Sequence, residues 1–357
     1  MTTLEAACAP FRSLAIAGTA KNAGKTTALN YLIERFAAAG ERLGLSSVGR
    51  DGEAIDQLTN RSKPRIRPPV GALVATSHES ALYSQATLKL IAPTPFRTAL
   101  GPVGIYRVEG PGYVEVAGPV KVQEAARLLT LLAELGCTKI LLDGAADRRA
   151  FISAGVDGFV LATGLVLADD PVAIVDETRA VLSRLQLPAP PAEWIAACRA
   201  HPGPGAITPE GFLPWPETSF LAGLEGFASW LPTEAQALHV PGALTDGLCE
   251  ALLSSRRTLP VIVPAGTHVL ASRALLDRLL QRGQTCYALN PLRAIAMTLN
   301  PTSPDGRTLD PAKLRAAMAA AFPGPLPTNP QASSALALQS YCDSWSASKS
   351  AKTTALI

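Results

Sequence analysis

Ten consecutive residues, Gly18-Thr19-Ala20-Lys21-Asn22-Ala23-Gly24-Lys25-Thr26-Thr27, gather glycines, lysines and hydroxyls into one short stretch. That combination suits phosphate: peptide N–H groups ring the oxygens, and the positive end of a following helix adds its attraction. Lys25 would reach the outer phosphates, Thr26 would place its hydroxyl on Mg²⁺, and Gly24, lacking Cβ, would let the backbone close on the ligand. The regular phosphate-loop spacing puts its first glycine where Thr19 stands; here the glycine comes one residue earlier, at Gly18. All ten residues are expected to line a nucleotide with Mg²⁺. The competing reading is a glycine-rich turn that holds no ligand.

Such a site needs carboxylates for the metal and for the attacking water. Asp143 ends the apolar run Lys139-Ile-Leu-Leu142, where a buried strand would deliver an acid to the ligand edge of an open α/β sheet. Asp147, four residues on, reads equally as a second acid or as part of a solvated cluster with Arg148 and Arg149. In Gly49-Arg50-Asp51-Gly52-Glu53, Asp51 would bind the metal or orient water and Arg50 would face the γ-phosphate, against the alternative of an ordinary polar turn. The expected catalytic set is therefore Lys25, Asp51 and Asp143, and the metal set Thr26, Asp51 and Asp143. The cationic run Lys63-Pro-Arg-Ile-Arg67 reads as a solvated loop before it reads as a phosphate or partner contact. Asn300 stands either as a base-reading amide or as the start of an Asn-Pro turn.

The elements that must position these residues follow from periodicity. Leu14–Ala17 reads as a strand. Lys25–Ala39 carries Leu29, Leu32, Ile33 and Phe36 at helical spacing, and Gly40 stops it. Arg42–Val48 is the next strand, completing a right-handed βαβ unit. Asp51–Pro69 is polar and proline-rich, a long functional loop. Gly71–Thr76 is a strand, and Val103–Val108 with Tyr113–Val116 flank Glu109-Gly-Pro-Gly112 as a hairpin. Val122–Leu135 is a helix, Lys139–Leu142 and Gly158–Ala162 are strands, and Pro171–Leu185 is a helix.

Beyond the proline-marked stretches at 188–191 and 201–205, strands at 237–240, 261–263, 285–289 and 295–299 alternate with helices near 245–253 and 272–282. The expected architecture is α/β, a mostly parallel sheet with an antiparallel hairpin insertion and a C-terminal α/β lobe. Residues 1–187 form the nucleotide-binding domain, 188–322 a second lobe possible as a continuation of the same sheet, and 323–357 a flexible tail.

Composition excludes several classes. With 32 basic against 29 acidic residues the net charge is only +3, too near neutrality for a chain that coats nucleic acid. Its 48% hydrophobic content is broken every few residues by Gly, Pro or charge, so no run reaches the ~20 apolar residues of a bilayer crossing. The start carries Glu5 and no cationic region ahead of an apolar one, which leads to a cytoplasmic expectation. Six cysteines without a C-x-x-C pair and four scattered histidines give no zinc or disulfide framework.

The Gly18–Thr27 loop resembles those of dethiobiotin synthetase and cobyric acid synthase within the ParA/MinD-like class of P-loop NTPases. The extra lysine of the ParA/MinD group would fall at Ala20, with Lys21 one step displaced. Taken with Val48-Gly-Arg-Asp-Gly-Glu53, Lys63-Pro-Arg-Ile66, Gly101-Pro-Val-Gly-Ile-Tyr106, Leu142-Asp-Gly-Ala-Ala-Asp-Arg148 and Thr298-Leu-Asn-Pro301, the chain to about Phe322 resembles the KamB family, a subunit of the lysine 5,6-aminomutase reactivase. The resemblance implies an ATP-dependent helper that works with a larger MutS-like ATPase subunit on an adenosylcobalamin-dependent aminomutase, exchanging damaged cobalamin for intact coenzyme. Ala23 departs from the Thr or other small residue expected there. Two other readings remain: a biosynthetic ligase in which the γ-phosphate activates a carboxylate, and a nucleotide-holding module that acts by protein contact alone.

Overall fold

The computed structural model describes residues 3–51, 65–144, 155–322 and 337–340, with the backbone path alone at 49–51 and 337–340. Chain contacts divide it into two units, one built on residues up to Arg179 with those from Arg293 onward, the other on Ala180–Leu292.

The first unit is a large, mostly parallel sheet. Its strands are β1 (Ser13–Gly18), β2 (Leu43–Asp51), β3 (Leu73–Ser77), β4 (Leu88–Thr98), β5 (Gly101–Val108), β6 (Val116–Gly118), β7 (Lys139–Gly144), β8 (Gly158–Gly164), β14 (Ala294–Asn300) and β15 (Ala337–Ser340). They lie in the order β15-β14-β8-β1-β7-β2-β3-β5-β4, with β6 paired to β2. Every pair from β15 to β3 is parallel, whereas β5 runs antiparallel to β3 and β4, and β6 to β2. The central strands are buried from end to end, as a parallel sheet covered by helices requires. Helix α1 is Leu4–Cys8. Helix α2, Lys25–Ala38, buries Leu29, Leu32, Ile33 and Phe36, the stripe its spacing predicts, against Leu14, Ile16 and Leu45. Gly40 follows it at φ +78°, the left-handed turn that ends the helix.

Three expectations for this unit change. The predicted hairpin across Glu109–Gly112 does not form: β5 pairs with β4, and β6 crosses to β2. A Cβ at Gly112 would stand 2.5 Å from the Ala86 nitrogen, so that glycine serves a close backbone crossing. Second, β2 extends through Asp51, placing Arg50 and Asp51 in a strand where a loop was expected. Third, the region read as a tail contains β15, parallel to β14. The rest of the unit includes α3 (His78–Tyr83), α4 (Val122–Glu134), the start of α5 (Pro171–Leu185) and, beyond the second unit, α10 (Pro311–Ala321).

The second unit holds a five-stranded sheet in the order β10-β9-β11-β12-β13, formed by Gly211–Pro214, Gly205–Thr208, Ala237–His239, Val261–Val263 and Cys286–Ala288. Its helices are α6 (Ala192–Ala200), α7 (Phe227–Trp230), α8 (Asp246–Ser254) and α9 (Arg273–Gln281). Trp215, Phe220, Phe227, Leu248, Leu252 and Leu276 are among the side chains of its core. Relative to the boundaries read from sequence, this unit starts a few residues earlier, and β14 with α10 fall in the first unit. Among the described residues no helix is long and apolar enough to cross a membrane.

Candidate phosphate-binding site

The loop between β1 and α2 has the backbone a phosphate cradle needs. Thr19 N–H donates to Ala162 O at 2.9 Å, which fastens the start of the loop to β8. Asn22 lies at φ +64° and Gly24 at φ +99°, so two of the next residues are left-handed and turn the chain into the helix. Gly24 occupies the position before α2, and its carbonyl accepts from Ala28 N–H at 3.0 Å. The Lys25 stem folds back across the end of β1: a Cβ at Gly18 would meet its Cγ and Cδ at 3.0 Å. The displaced glycine therefore has a physical reason, since a side chain at position 18 would crowd the lysine. Thr26 and Thr27 are half-buried in the first helical turn, and Ala23 is buried.

Asp143 stands on β7, the strand beside β1, with Ile16 and Ser47 as its neighbours in register. It is 2% exposed, a buried carboxylate at the C-terminal end of a central strand, on the same edge as the loop. Hydroxyl bonds organise that edge further along: Ser47 Oγ donates to Val116 O at 2.9 Å, and Ala117 N–H donates to Thr76 Oγ1 at 2.9 Å, which fix β6 across β2 and β3. The Asp51 backbone ends β2 opposite Val116. Glu53, Lys63 and Asp147 lie outside the described residues. Arg65 and Arg67 are anchored on α2 instead of extending free: Asn30 Nδ2 donates to Arg65 O at 2.9 Å, and Arg67 N–H donates to Asn30 Oδ1 at 3.1 Å. The Tyr113 ring lies under both guanidinium groups.

On the other side of β1, sequence reasoning named Asn300 but missed its contact with the loop. Asn300, at the end of β14, donates from Nδ2 to Asn22 O at 3.2 Å, while its Oδ1 accepts from Thr302 N–H and Oγ1 at 3.1 and 2.9 Å. Both ends of the amide are engaged, so Asn300 acts as a strut for the loop. Gly164 makes this approach possible, because a Cβ there would fall 1.9 Å from Asn300 O.

Beneath the loop lies a buried hydroxyl relay. Thr178 Oγ1 donates to Ile174 O at 2.7 Å, so its contact with Thr163 Oγ1 at 2.8 Å must use the Thr163 hydrogen. The Thr163 oxygen is then left to accept from Thr19 Oγ1 at 3.3 Å, an alternative for that hydroxyl to Ala162 O at the same distance. Nothing in the spacing of three isolated threonines signals this relay; the pairing of β1 with β8 creates it.

No protein-family model matches the chain, and no curated protein matches it. Among solved structures it is similar to the kinase domain of the Escherichia coli tyrosine kinase ETK, at 13% identity and a TM-score of 0.26, over 47% of this chain and 61% of that one. It is also similar to pNOB8 ParA, solved bound to nonspecific DNA, at 13% identity and a TM-score of 0.26, over 50% of this chain and 63% of that one. The likeness spans less than two thirds of either protein.

Proposed function

We propose that this chain binds a Mg²⁺-nucleotide, ATP by resemblance, in the loop from Gly18 to Thr27. The observation that carries the reading is the conjunction of a left-handed Gly24 at the start of α2, the Lys25 stem folded over Gly18, and a buried acid, Asp143, on the adjoining strand. The residues suit that ligand. The peptide groups around Asn22 and Gly24 supply donors, Lys25 a cation, and Thr26 with Asp143 hard oxygen ligands of the kind Mg²⁺ prefers. A bound nucleotide would supply a phosphoanhydride whose cleavage releases free energy. Lys25 would neutralise charge on the outer phosphates, Thr26 would hold the metal directly, and Asp143 would hold it through water.

At the finer level, the reading is a reactivase subunit that couples nucleotide turnover to coenzyme exchange on an adenosylcobalamin-dependent aminomutase, together with a larger MutS-like ATPase. Its support is the set of sequence phrases that resemble those of the KamB family. Nucleotide binding drives such an exchange only if the bound state favours one conformation of the complex. The test uses the native chain and Lys25→Ala with an aminomutase inactivated by turnover. Restored aminomutase activity that depends on ATP and on Lys25 supports the reading. Restoration without either contradicts it, and phosphate release that requires a small carboxylic acid substrate would favour the ligase.

A further inference from the structure

Residues 65–67 are pinned to the first unit from both sides. Asn30 of α2 donates from Nδ2 to Arg65 O at 2.9 Å and accepts from Arg67 N–H at 3.1 Å. Between them the Ile66 carbonyl accepts from Val114 N–H at 3.0 Å. Bonds that alternate sides residue by residue belong to extended backbone, whose side chains alternate too. Ile66 accordingly lies in the core, 6% exposed, while Arg65 and Arg67 share the exposed outer face. Pro68 further holds Arg67 extended, and two residues of such backbone set the arginines about 7 Å apart. Both guanidinium groups lie over one ring, Tyr113, with Cζ at 5.6 Å from its centroid for Arg65 and 4.4 Å for Arg67. Arg67 also donates to the Tyr113 hydroxyl. Neither arginine forms an ion pair with a carboxylate among the described residues. Two like charges held this close repel, and an anion set between them removes the repulsion. Because the ring and the backbone order them beforehand, little freedom is left to lose when the anion binds.

We propose that Arg65, Arg67 and Tyr113 form a docking site for an extended acidic peptide segment of a protein partner, whose carboxylates at alternate positions meet the two guanidinium groups. The spacing fits, because alternate side chains of an extended peptide repeat at the same ~7 Å. Guanidinium matches carboxylate through two parallel N–H···O bonds, and stacking on tyrosine leaves its edge open to make them. Charge favours a peptide over a nucleic acid: two cations on a chain of net charge +3 release too few counterions to hold a phosphate backbone at physiological salt. The anchor Asn30 follows Thr26 by one turn of α2, so the docking site neighbours the phosphate loop while using none of its residues.

The probe is a fluorescein-labelled synthetic peptide of alternating Glu and Thr, a pattern that favours extended backbone, with the Gln and Thr isostere as its neutral control. Both are titrated into the full chain without nucleotide and followed by fluorescence anisotropy. Saturable binding of the acidic peptide is expected, weaker by about tenfold in Arg65→Gln and in Arg67→Gln, and lost for the neutral peptide. The double variant Arg65→Lys with Arg67→Lys keeps the charge but loses the stacked fork, and should bind at least about threefold more weakly than the native chain. Lys313→Gln, an equal change of charge at an exposed position on α10, and Lys25→Ala should both bind as the native chain does. Circular dichroism melts confirm that each variant is folded. The proposal is overturned if the acidic peptide shows no saturable binding, if the double lysine variant binds like the native chain, or if Lys313→Gln weakens binding as much as Arg65→Gln. Loss of binding in Lys25→Ala would assign the peptide to the phosphate loop and also overturn it. So would a single-stranded oligonucleotide of equal charge that binds more tightly than the peptide, which would make this a nucleic-acid surface.

Discussion

The contact between Asn300 and the phosphate loop gives the sharpest mutational prediction. Asn22 is held at φ +64°, a conformation that costs a non-glycine residue about 1 kcal/mol, less for Asn than for most. The Asn300 Nδ2 to Asn22 O bond at 3.2 Å contributes about 1 kcal/mol net, comparable to that strain. Without the bond, the folded-back loop loses its advantage over relaxed alternatives. Asn300→Asp removes the donor, because a carboxylate still accepts from Thr302 but cannot donate to Asn22. It also brings negative charge against Gly24, whose Cβ position lies 3.8 Å from Asn300 Nδ2, and so against any bound phosphate. The nucleotide dissociation constant should rise at least fivefold, the factor that ~1 kcal/mol represents, and further at low salt where repulsion is less screened. Isothermal titration calorimetry at two ionic strengths measures both parts. If Asn300→Asp binds nucleotide as tightly as the native chain at either ionic strength, the idea that Asn300 holds the loop ready is wrong.

Other substitutions probe different parts of the fold. Gly164→Ala, whose Cβ would fall 1.9 Å from Asn300 O, should destabilise by more than ~3 kcal/mol in urea unfolding, whereas Gly40→Ala, with φ +78° and open space, should cost only ~1 kcal/mol; similar costs would refute the steric argument. Thr163→Val removes the centre of the buried hydroxyl relay and should cost ~1–2 kcal/mol, with Thr163→Ser recovering most of it; an unchanged valine variant would show that the relay contributes nothing. Burial holds His239 and His268 below the ordinary histidine range, against opposing hydrogen bonds to backbone. Their unfolded forms gain protons near pH ~6.5 while the folded forms resist. Stability is therefore full above that pH and falls as pH drops through it toward the lowered folded values. His239→Gln should flatten the fall in melting temperature between about pH 7 and 5, and an unaltered slope would count against burial as its cause.

Much of the site's scaffold was legible because its signals are local. A strand, a glycine-bearing turn and a helix with Leu29, Leu32, Ile33 and Phe36 in phase need no distant partner to be recognised, and Pro171–Leu185 begins and ends where predicted. What escaped depends on pairing. Strand β4 carries Pro93 and Pro95, which argue against a strand, yet it is the outermost strand of its sheet and irregular in register there, where missing N–H groups are tolerated. Helix α6 sits between proline-marked stretches that read as linker, with Pro191 at its cap. Asn300 was singled out from sequence, but its role as a strut, like that of Thr163, became visible only when β14 and β8 were set beside β1, since no spacing rule connects residues 278 positions apart. Asp143 was the exception, because an acid ending an apolar run announces the ligand edge of a parallel sheet by itself.

On the proposed function, the loop holds a Mg²⁺-nucleotide through Lys25 and the carboxylate edge of β7. Calorimetric titration of ATP into the native chain, Lys25→Ala and Asp143→Asn, each with Mg²⁺ and with EDTA, tests it most directly. Mg²⁺-enhanced binding is expected of the native chain, with a loss of about tenfold to a hundredfold in Lys25→Ala from the missing charged hydrogen bond, and loss of the Mg²⁺ enhancement in Asp143→Asn. Binding that is equal in all three proteins, or absent from the native chain, would contradict it.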